Sequence, residues 1–309
     1  MKIVFMGTPD FAVPSLEAII AAGHEVLAVV TQPDKPKGRS GELSMPPVKE
    51  CALKAGIEVL QPVRVRKDEE FLTYLESLNA DAFVVVAFGQ ILPKRVLDAS
   101  KYGCINVHGS LLPAYRGAAP IQWAVINGDE KSGVTIMQLD EGIDTGDIIA
   151  KEEILLDPKE TGGSLFDKLA DLGGKMIVDV LSGLEKGTVT RTPQGEATTP
   201  YAKMLDKTMG NIDFTNDAKK IECLIRGLNP WPSAYTTISG KTLKIWDADV
   251  TEGSGDAGTV IGIDKNGFTV ACGSRALYIK DVQLEGKKRM SAADFLRGYK
   301  LNEGDRLGS

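Results

Sequence analysis

Hydrophobic positions fall into two regimes along the chain. Up to about residue 180, the short apolar runs KIVFMG, EVLAVVT, IEVLQP, DAFVVVAFG, CINVH and VTIMQLD alternate with segments of mixed polarity. Runs this short and this uniformly apolar are what parallel strands covered on both faces require. VPSLEAIIAAG, between the first two runs, has Pro14 near its start and Gly23 just past its end, the asymmetry that a helix imposes. Strand and helix in alternation predict an α/β domain with a Rossmann-like, open, mostly parallel sheet.

The pattern then changes. Leu165, Leu169, Leu172, Met176, Val180 and Leu184 recur at helical spacing, after which TVTRTPQGEATTPYAKM turns polar and irregular. We read residues 1–182 as one domain, 183–206 as a linker and 207–309 as a second domain. The second domain opens with a helical NDAKKIECLIRGLN. It continues as WPSAYTTISG, KTLKIWDADV, GTVIGI, GFTVACG and ALYIKDVQL, short strands parted by Gly, Asn and Asp turns. That spacing predicts a small OB-like β-barrel.

A length of 309 residues suits two domains, and 43% hydrophobic with 25% charged residues is enough to bury a core, which argues against disorder. The N-terminal apolar run stops at Gly7, too short for a signal peptide or a membrane span, so a cytoplasmic address without a membrane partner is expected. Cys51, Cys104, Cys223 and Cys272 show no CxxC spacing, so buried reduced thiols are expected rather than a disulfide framework or a metal site. The net charge of −6 argues against a polyanionic partner, but it is unevenly spread. Residues 203–309 hold 16 Lys and Arg against 14 Asp and Glu, whereas residues 1–202 hold 20 against 28. KPKGR at 35–39 and GKKR at 286–289 are locally basic; solvated surface lysines are the plain alternative.

Only two histidines occur. His24 lies in AAGHEV, just past a helix end, where an imidazole can hydrogen-bond the last carbonyls. Trp231, in NPWPS, reads as domain-interface core rather than a base-stacking platform. His108 ends the apolar run CINVH and precedes GSLLPAYRGAAP, which suits neither helix nor strand. Asn106 is two positions earlier and so faces the same side. Asp144, in the Gly-broken DEGIDTGD after the next strand, can approach the same sheet edge. An amide able to donate to an oxyanion, an imidazole able to handle an amine proton and a carboxylate able to orient it make a constellation for acyl transfer. A histidine that merely caps a strand reads equally well from spacing alone.

NVHGSLLPAYRGAAPIQWAVINGD followed by SGVTIMQLDEGIDTGDII resembles the folate-dependent formyltransferases, with Asn106, His108 and Asp144 on that family's catalytic pattern. The resemblance implies 10-formyltetrahydrofolate as formyl donor. It places Phe88, Gly89, Gln90, Ile91 and Leu92, the turn Ser110, Leu111, Leu112 and Pro113, and Asp140 and Gly142 against the folate. Strand ends and turns would account for the same residues without a ligand. GTPDFA, TQPDKPKGRSGELSMPPVK and RGLNPWPSAYT extend the likeness over nearly the whole chain to members whose acceptor is initiator methionyl-tRNA. By that resemblance Lys35, Lys37 and Arg39, in a loop expected to be mobile, meet the acceptor stem, and Lys287, Lys288 and Arg289 give a second electrostatic contact. A monomer is expected. An amino-sugar nucleotide acceptor is the alternative within the family; the phosphate-loop and dehydrogenase branches are disfavoured by MGTPDFAVPSL and by the chain stopping at Ser309. A dinucleotide-dependent oxidoreductase lacks its GxGxxG, and a non-catalytic RNA-binding protein would leave the Asn, His and Asp without a task.

Overall fold

β1 (Lys2–Gly7) buries Ile3, Val4, Phe5 and Met6 completely. It is an interior strand of a seven-stranded sheet in the computed structural model, which describes residues 1–37 and 42–308. After it come α1 (Val13–Ala21), β2 (Glu25–Val30), β3 (Lys35–Lys37), β4 (Glu42–Ser44), α2 (Pro47–Lys54), β5 (Val59–Leu60), α3 (Glu69–Ser77), β6 (Ala82–Val86), α4 (Lys94–Leu97) and β7 (Cys104–His108). α5 (Pro120–Asn127), β8 (Lys131–Gln138), β9 (Ile148–Leu155) and the long α6 (Gly162–Lys186) follow. The sheet order is β5-β2-β1-β6-β7-β8-β9, and the first five strands of that order run parallel. The chain passes from β1 out to β2 and β5, then returns to β6 and β7 on the other side of β1. The carboxyl ends of β1 and β6 therefore flank a topological switch point, where sheets of this Rossmann-like type bind ligands.

β8 departs from the parallel expectation: it pairs antiparallel with β7, His108 opposite Thr135 and Asn106 opposite Met137. Its apolar run reports burial on two faces, and burial constrains composition without constraining strand direction. The edge strand β9, IIAKEEIL, was not expected: Lys151, Glu152 and Glu153 are exposed at its middle and part its apolar residues into two short pieces. α6 lies close to β7 because residue 173 is glycine; a Cβ there would stand 2.7 Å from Cγ1 of Val107. The basic stretch at 35–37 forms a short antiparallel ribbon, β3 with β4, and Arg39 lies outside the described residues.

α1 ends as the sequence predicts but not through its histidine. Gly23 turns left-handed at φ 81°, its N–H donates to the Ile20 carbonyl and that of His24 to the Ile19 carbonyl. These are the paired bonds of a Schellman cap. With the backbone satisfying the carbonyls, the imidazole turns away, and its Nδ1 lies 3.2 Å from the amino nitrogen of Met1. Burial, then the Met1 ammonium, hold His24 below its ordinary range against the opposing charge of Glu185.

Two compact units result, one of Met1–Gly117, Ser132–Ile154 and Phe166–Ala202, the other of Ala118–Lys131, Leu155–Leu165 and Lys203–Ser309. In the second, α7 (Ala218–Gly227) precedes β10 (Ala234–Ile238), β11 (Lys241–Thr251), β12 (Val260–Ile263), β13 (Phe268–Ala271), β14 (Ala276–Leu284), β15 (Met290–Ser291) and α8 (Ala292–Gly298). Every predicted strand here forms, in an antiparallel sheet of order β10-β11-β14-β13-β12 with β15 beside β14. Ile245, Ala248, Phe268, Val270, Leu277 and Ile279 bury one face against Ile221 and Ile225 of α7. Among the described residues no ladder joins β10 to β12, so no closed barrel is found where an OB-like β-barrel was expected. Local alternation specifies strands, whereas closure depends on curvature and register between strands far apart in sequence.

Two smaller expectations are corrected. Trp231 is 55% exposed rather than core, because the turn around it buries Pro232, Ser233 and Ala234 instead. All four cysteines are free, but Cys51 is only half-buried while the other three are fully buried. No described helix is long and apolar enough to cross a membrane.

Candidate active site

Parallel strands deliver the site. β7 is buried along its length, and alternation sends Asn106 and His108 to one side at its carboxyl end. His108 is 7% exposed and Asn106 8%, so both are enclosed yet reachable. Nε2 of His108 lies 3.0 Å from the Tyr115 carbonyl oxygen. A carbonyl only accepts, so Nε2 carries a proton. The neutral ring then turns a lone pair, and the charged ring an N–H, from Nδ1 toward Oδ2 of Asp144 at 3.8 Å. That is ion-pair distance, too long for a direct hydrogen bond.

Asp144 is held rather than merely near. The residue sits in the left-handed region at φ 52°, which non-glycine residues seldom adopt, and Oδ2 accepts from the Gly117 N–H at 2.8 Å. Gly117 has φ 123°, and a Cβ on it would meet the Ala202 carbonyl oxygen and the Tyr201 ring, each at 2.7 Å. Only glycine brings that N–H to the carboxylate. Asp140 organises the same loop through Oδ1, which accepts from the Gly142 N–H at 2.9 Å and the Thr145 hydroxyl at 2.7 Å.

The turn after His108 is pinned from below. The Thr135 hydroxyl, fully buried on β8, donates to the Ser110 carbonyl at 2.7 Å and accepts from the Leu112 N–H at 3.0 Å. The Ser110 hydroxyl donates to the Ala114 carbonyl at 2.7 Å, and Lys151 donates to the Leu112 carbonyl at 3.2 Å. By contrast the Asn106 carboxamide has no hydrogen-bond partner among the described residues, which leaves both its N–H groups for whatever enters.

The other sequence-predicted residues divide by what they already do. Phe88 and Leu92 are core side chains, and the Phe88 carbonyl accepts from the Thr8 hydroxyl at 3.1 Å and the Gln32 amide at 3.2 Å. Gln90 spans loops, its Oε1 accepting from the Val65 N–H and its Nε2 donating to the Pro62 carbonyl. Gly89 and Ile91 face solvent, while Leu111 and Pro113 are half-buried. Leu112 is fully buried. Lys35 is exposed on β3, where Lys37 also lies. Lys287 and Lys288 are exposed, whereas Arg289 pairs with Asp281 and lies over the Trp246 ring, 5.0 Å from its centre. Sequence reasoning missed Tyr115 and Gly117, which act through backbone groups, Arg116 and Gln194, which lie in segments with no periodicity, and Thr135, whose hydroxyl is hidden inside the apolar run of β8. No described group of three or more His, Cys, Asp or Glu could hold a metal ion.

The chain as a whole has named relatives. Residues 1–181 match the family described as Formyl transferase, and residues 204–300 match Formyl transferase, C-terminal domain. The chain is 58% identical, over the full length of both sequences, to methionyl-tRNA formyltransferase of Lachnospira eligens. Its fold is shared with an N-formyltransferase from Helicobacter canadensis crystallised with folinic acid and dTDP-3-aminofucose, at 19% identity and a TM-score of 0.68, covering 90% of this chain and 98% of that one. HypX from Aquifex aeolicus in complex with tetrahydrofolic acid shares it at 17% identity and a TM-score of 0.64, covering 96% of this chain and 47% of that one.

Proposed function

This chain belongs to the formyl transferase family, and on that premise we propose that it moves the formyl group of 10-formyltetrahydrofolate to the amine of the methionine carried by initiator methionyl-tRNA. Methionyl-tRNA is the acceptor in the name of the 58% identical relative, whereas the amino-sugar formyltransferase of like fold is 19% identical. The observation that carries the chemistry is the unpartnered carboxamide of Asn106 beside an imidazole whose Nε2 is already engaged.

Attack of an amine on a formyl carbon puts negative charge on the formyl oxygen and positive charge on the nitrogen, and the donor supplies that carbon. Asn106 has two free N–H groups to meet the oxygen. His108 cannot use Nε2, which donates to Tyr115, so Nδ1 takes the amine proton and returns it toward the leaving nitrogen. Asp144, 3.8 Å away, compensates the imidazolium that forms and leaves room for the proton to travel by water. Gly89, Ile91 and the half-buried Leu111 and Pro113 offer surface to the flat pterin, while Phe88, Leu92 and Leu112 back it from the core. Ser110, Gln90, Asp140 and Gly142 shape the loops that border it.

The C-terminal unit, read as an OB-like and partly open barrel, supplies the second tRNA contact through Lys287, Lys288 and Arg289, while Lys35, Lys37 and Arg39 serve the acceptor stem. Replacing Lys287 and Lys288 together by alanine is expected to raise KM for tRNA, leave the folate KM unchanged and flatten the salt dependence by roughly 0.7–0.9 log units per lost phosphate contact. An unchanged salt slope would remove them from the interface.

The function is tested by offering 10-formyltetrahydrofolate with methionine-charged initiator tRNA and, separately, with an amino-sugar nucleotide, His108→Ala serving as control. Formylated tRNA that disappears in the variant is the expected result. Product on the sugar alone would overturn the acceptor.

A further inference from the structure

We propose that Gln194 is a positioning residue for Asp144, an assignment that rests on the reading of Asp144 as part of the catalytic centre. Gln194 stands out from its surroundings: residues 191–193 and 195–198 are all exposed, and it alone is half-buried. Its Nε2 donates to the carbonyl oxygens of Asp144 at 3.0 Å and Gly146 at 2.6 Å and lies 3.6 Å from the Met137 sulfur. Its Oε1 accepts from Nε and Nη2 of Arg116, at 3.1 and 2.9 Å, and Arg116 Nη2 also donates to the Gly195 carbonyl at 2.8 Å. Two carbonyls on one end and a guanidinium on the other admit only one orientation of the amide.

The amide therefore ties together the two loops that meet at His108. One loop supplies the Tyr115 carbonyl to Nε2 and the Gly117 N–H to Asp144; the other carries Asp144 itself. Asp144 needs such a hold because a left-handed backbone at a non-glycine residue relaxes unless its surroundings over-determine it. The hold sits on the backbone of Asp144 and leaves its carboxylate free for Gly117 and His108. The segment bearing Gln194 is itself fixed, by a bridge between Thr192 and Ile148 on one side and between Ala202 and Gly117 on the other.

The test separates anchoring from positioning. Gln194→Met keeps the length and removes every hydrogen bond. Gln194→Glu keeps the Arg116 anchor but sets a carboxylate against two carbonyls. Both are expected to lower kcat by about 10- to 100-fold, the scale of an ångström of misplacement, with KM for folate and tRNA nearly unchanged. Arg116→Met, which frees the amide without touching the Asp144 loop, is expected to fall between them and wild type, and it carries the test if the Gln194 variants do not fold. Asp144→Ala is measured in parallel. Should Asp144→Ala be severely impaired while Gln194→Glu, or a folded Gln194→Met, turns over like wild type, the positioning role is overturned. Should Asp144→Ala itself turn over like wild type, the catalytic reading beneath it fails instead.

Discussion

Replacing His108 by alanine is expected to lower kcat by about 10²–10⁴-fold, the usual value of positioned acid–base help, while KM for tRNA and folate stays close to wild type. The ring is enclosed at the end of a buried strand, donates through Nε2 to a main-chain carbonyl and directs Nδ1 to a carboxylate. Removing it deletes the only imidazole in the site, since the other histidine lies against Met1. Asn106→Ala is expected to give the companion result, a loss of about 10²–10³-fold, because the role proposed for it is the donation of one oxyanion hydrogen bond. Steady-state kinetics on both substrates check the pair, and a variant of either that keeps wild-type turnover removes that residue from catalysis.

The largest stability effect is expected in the C-terminal unit at Arg226→Ala. Arg226 is 9% and Glu222 3% exposed, and the guanidinium grips the carboxylate with two bonds of 2.7 and 3.0 Å while donating to the Glu160 carbonyl at 2.7 Å. Deleting one partner of such a pair leaves the other charge buried, at a cost of about 3–5 kcal/mol. Lys159 and Lys219, each half-exposed, also touch Glu222 and place the loss toward the lower end. Arg226→Lys keeps the charge without the planar fork and is expected to recover only part of it.

The pH dependence has a definite sign. Burial pushes the Glu222 carboxyl up, but its hydrogen bonds with Arg226 and Lys219 and the charges of Arg226 and Lys159 together hold it below the ordinary value of 4.5. A depressed folded value means that the pair stabilises the fold fully above that ordinary value and is lost as pH falls through the lower folded one. In the Arg226→Ala protein burial is less opposed, so the Glu222 carboxyl takes up its proton at higher pH than in wild type and the penalty is relieved before the wild-type pair is lost. The deficit against wild type, read by thermal or urea unfolding, is therefore expected to narrow at acid pH. A deficit that widens would contradict the assignment.

The local signals were legible because they arise from nearest neighbours in sequence. Apolar runs marked six strands of the first sheet, Gly23 marked the end of α1, and the leucine spacing marked α6. Alternation placed Asn106 and His108 on one side of β7 before any sheet existed, and burial at 8% and 7% agrees with that placement. Glycine and aspartate in DEGIDTGD marked the loop of Asp144. The amphipathic code does not register β9, an edge strand whose apolar residues are parted by Lys151, Glu152 and Glu153, or a residue such as Gln194 in a polar irregular segment.

Sequence by itself thus determined six strands of the first sheet, β10 to β14 of the second, the helices α1, α6 and α7, and which side chains share the carboxyl end of β7, since these follow from apolar runs and from periods of two and 3.6 residues. Tertiary structure decided the rest. The antiparallel turn of β8 puts Thr135 opposite His108, the left-handed Asp144 receives the Gly117 N–H across 27 positions, and Gln194 reaches the same loop across 50. In each case one side chain meets a main-chain donor or acceptor from a distant segment, and every residue but proline carries that main-chain pair, so no residue type announces the partner.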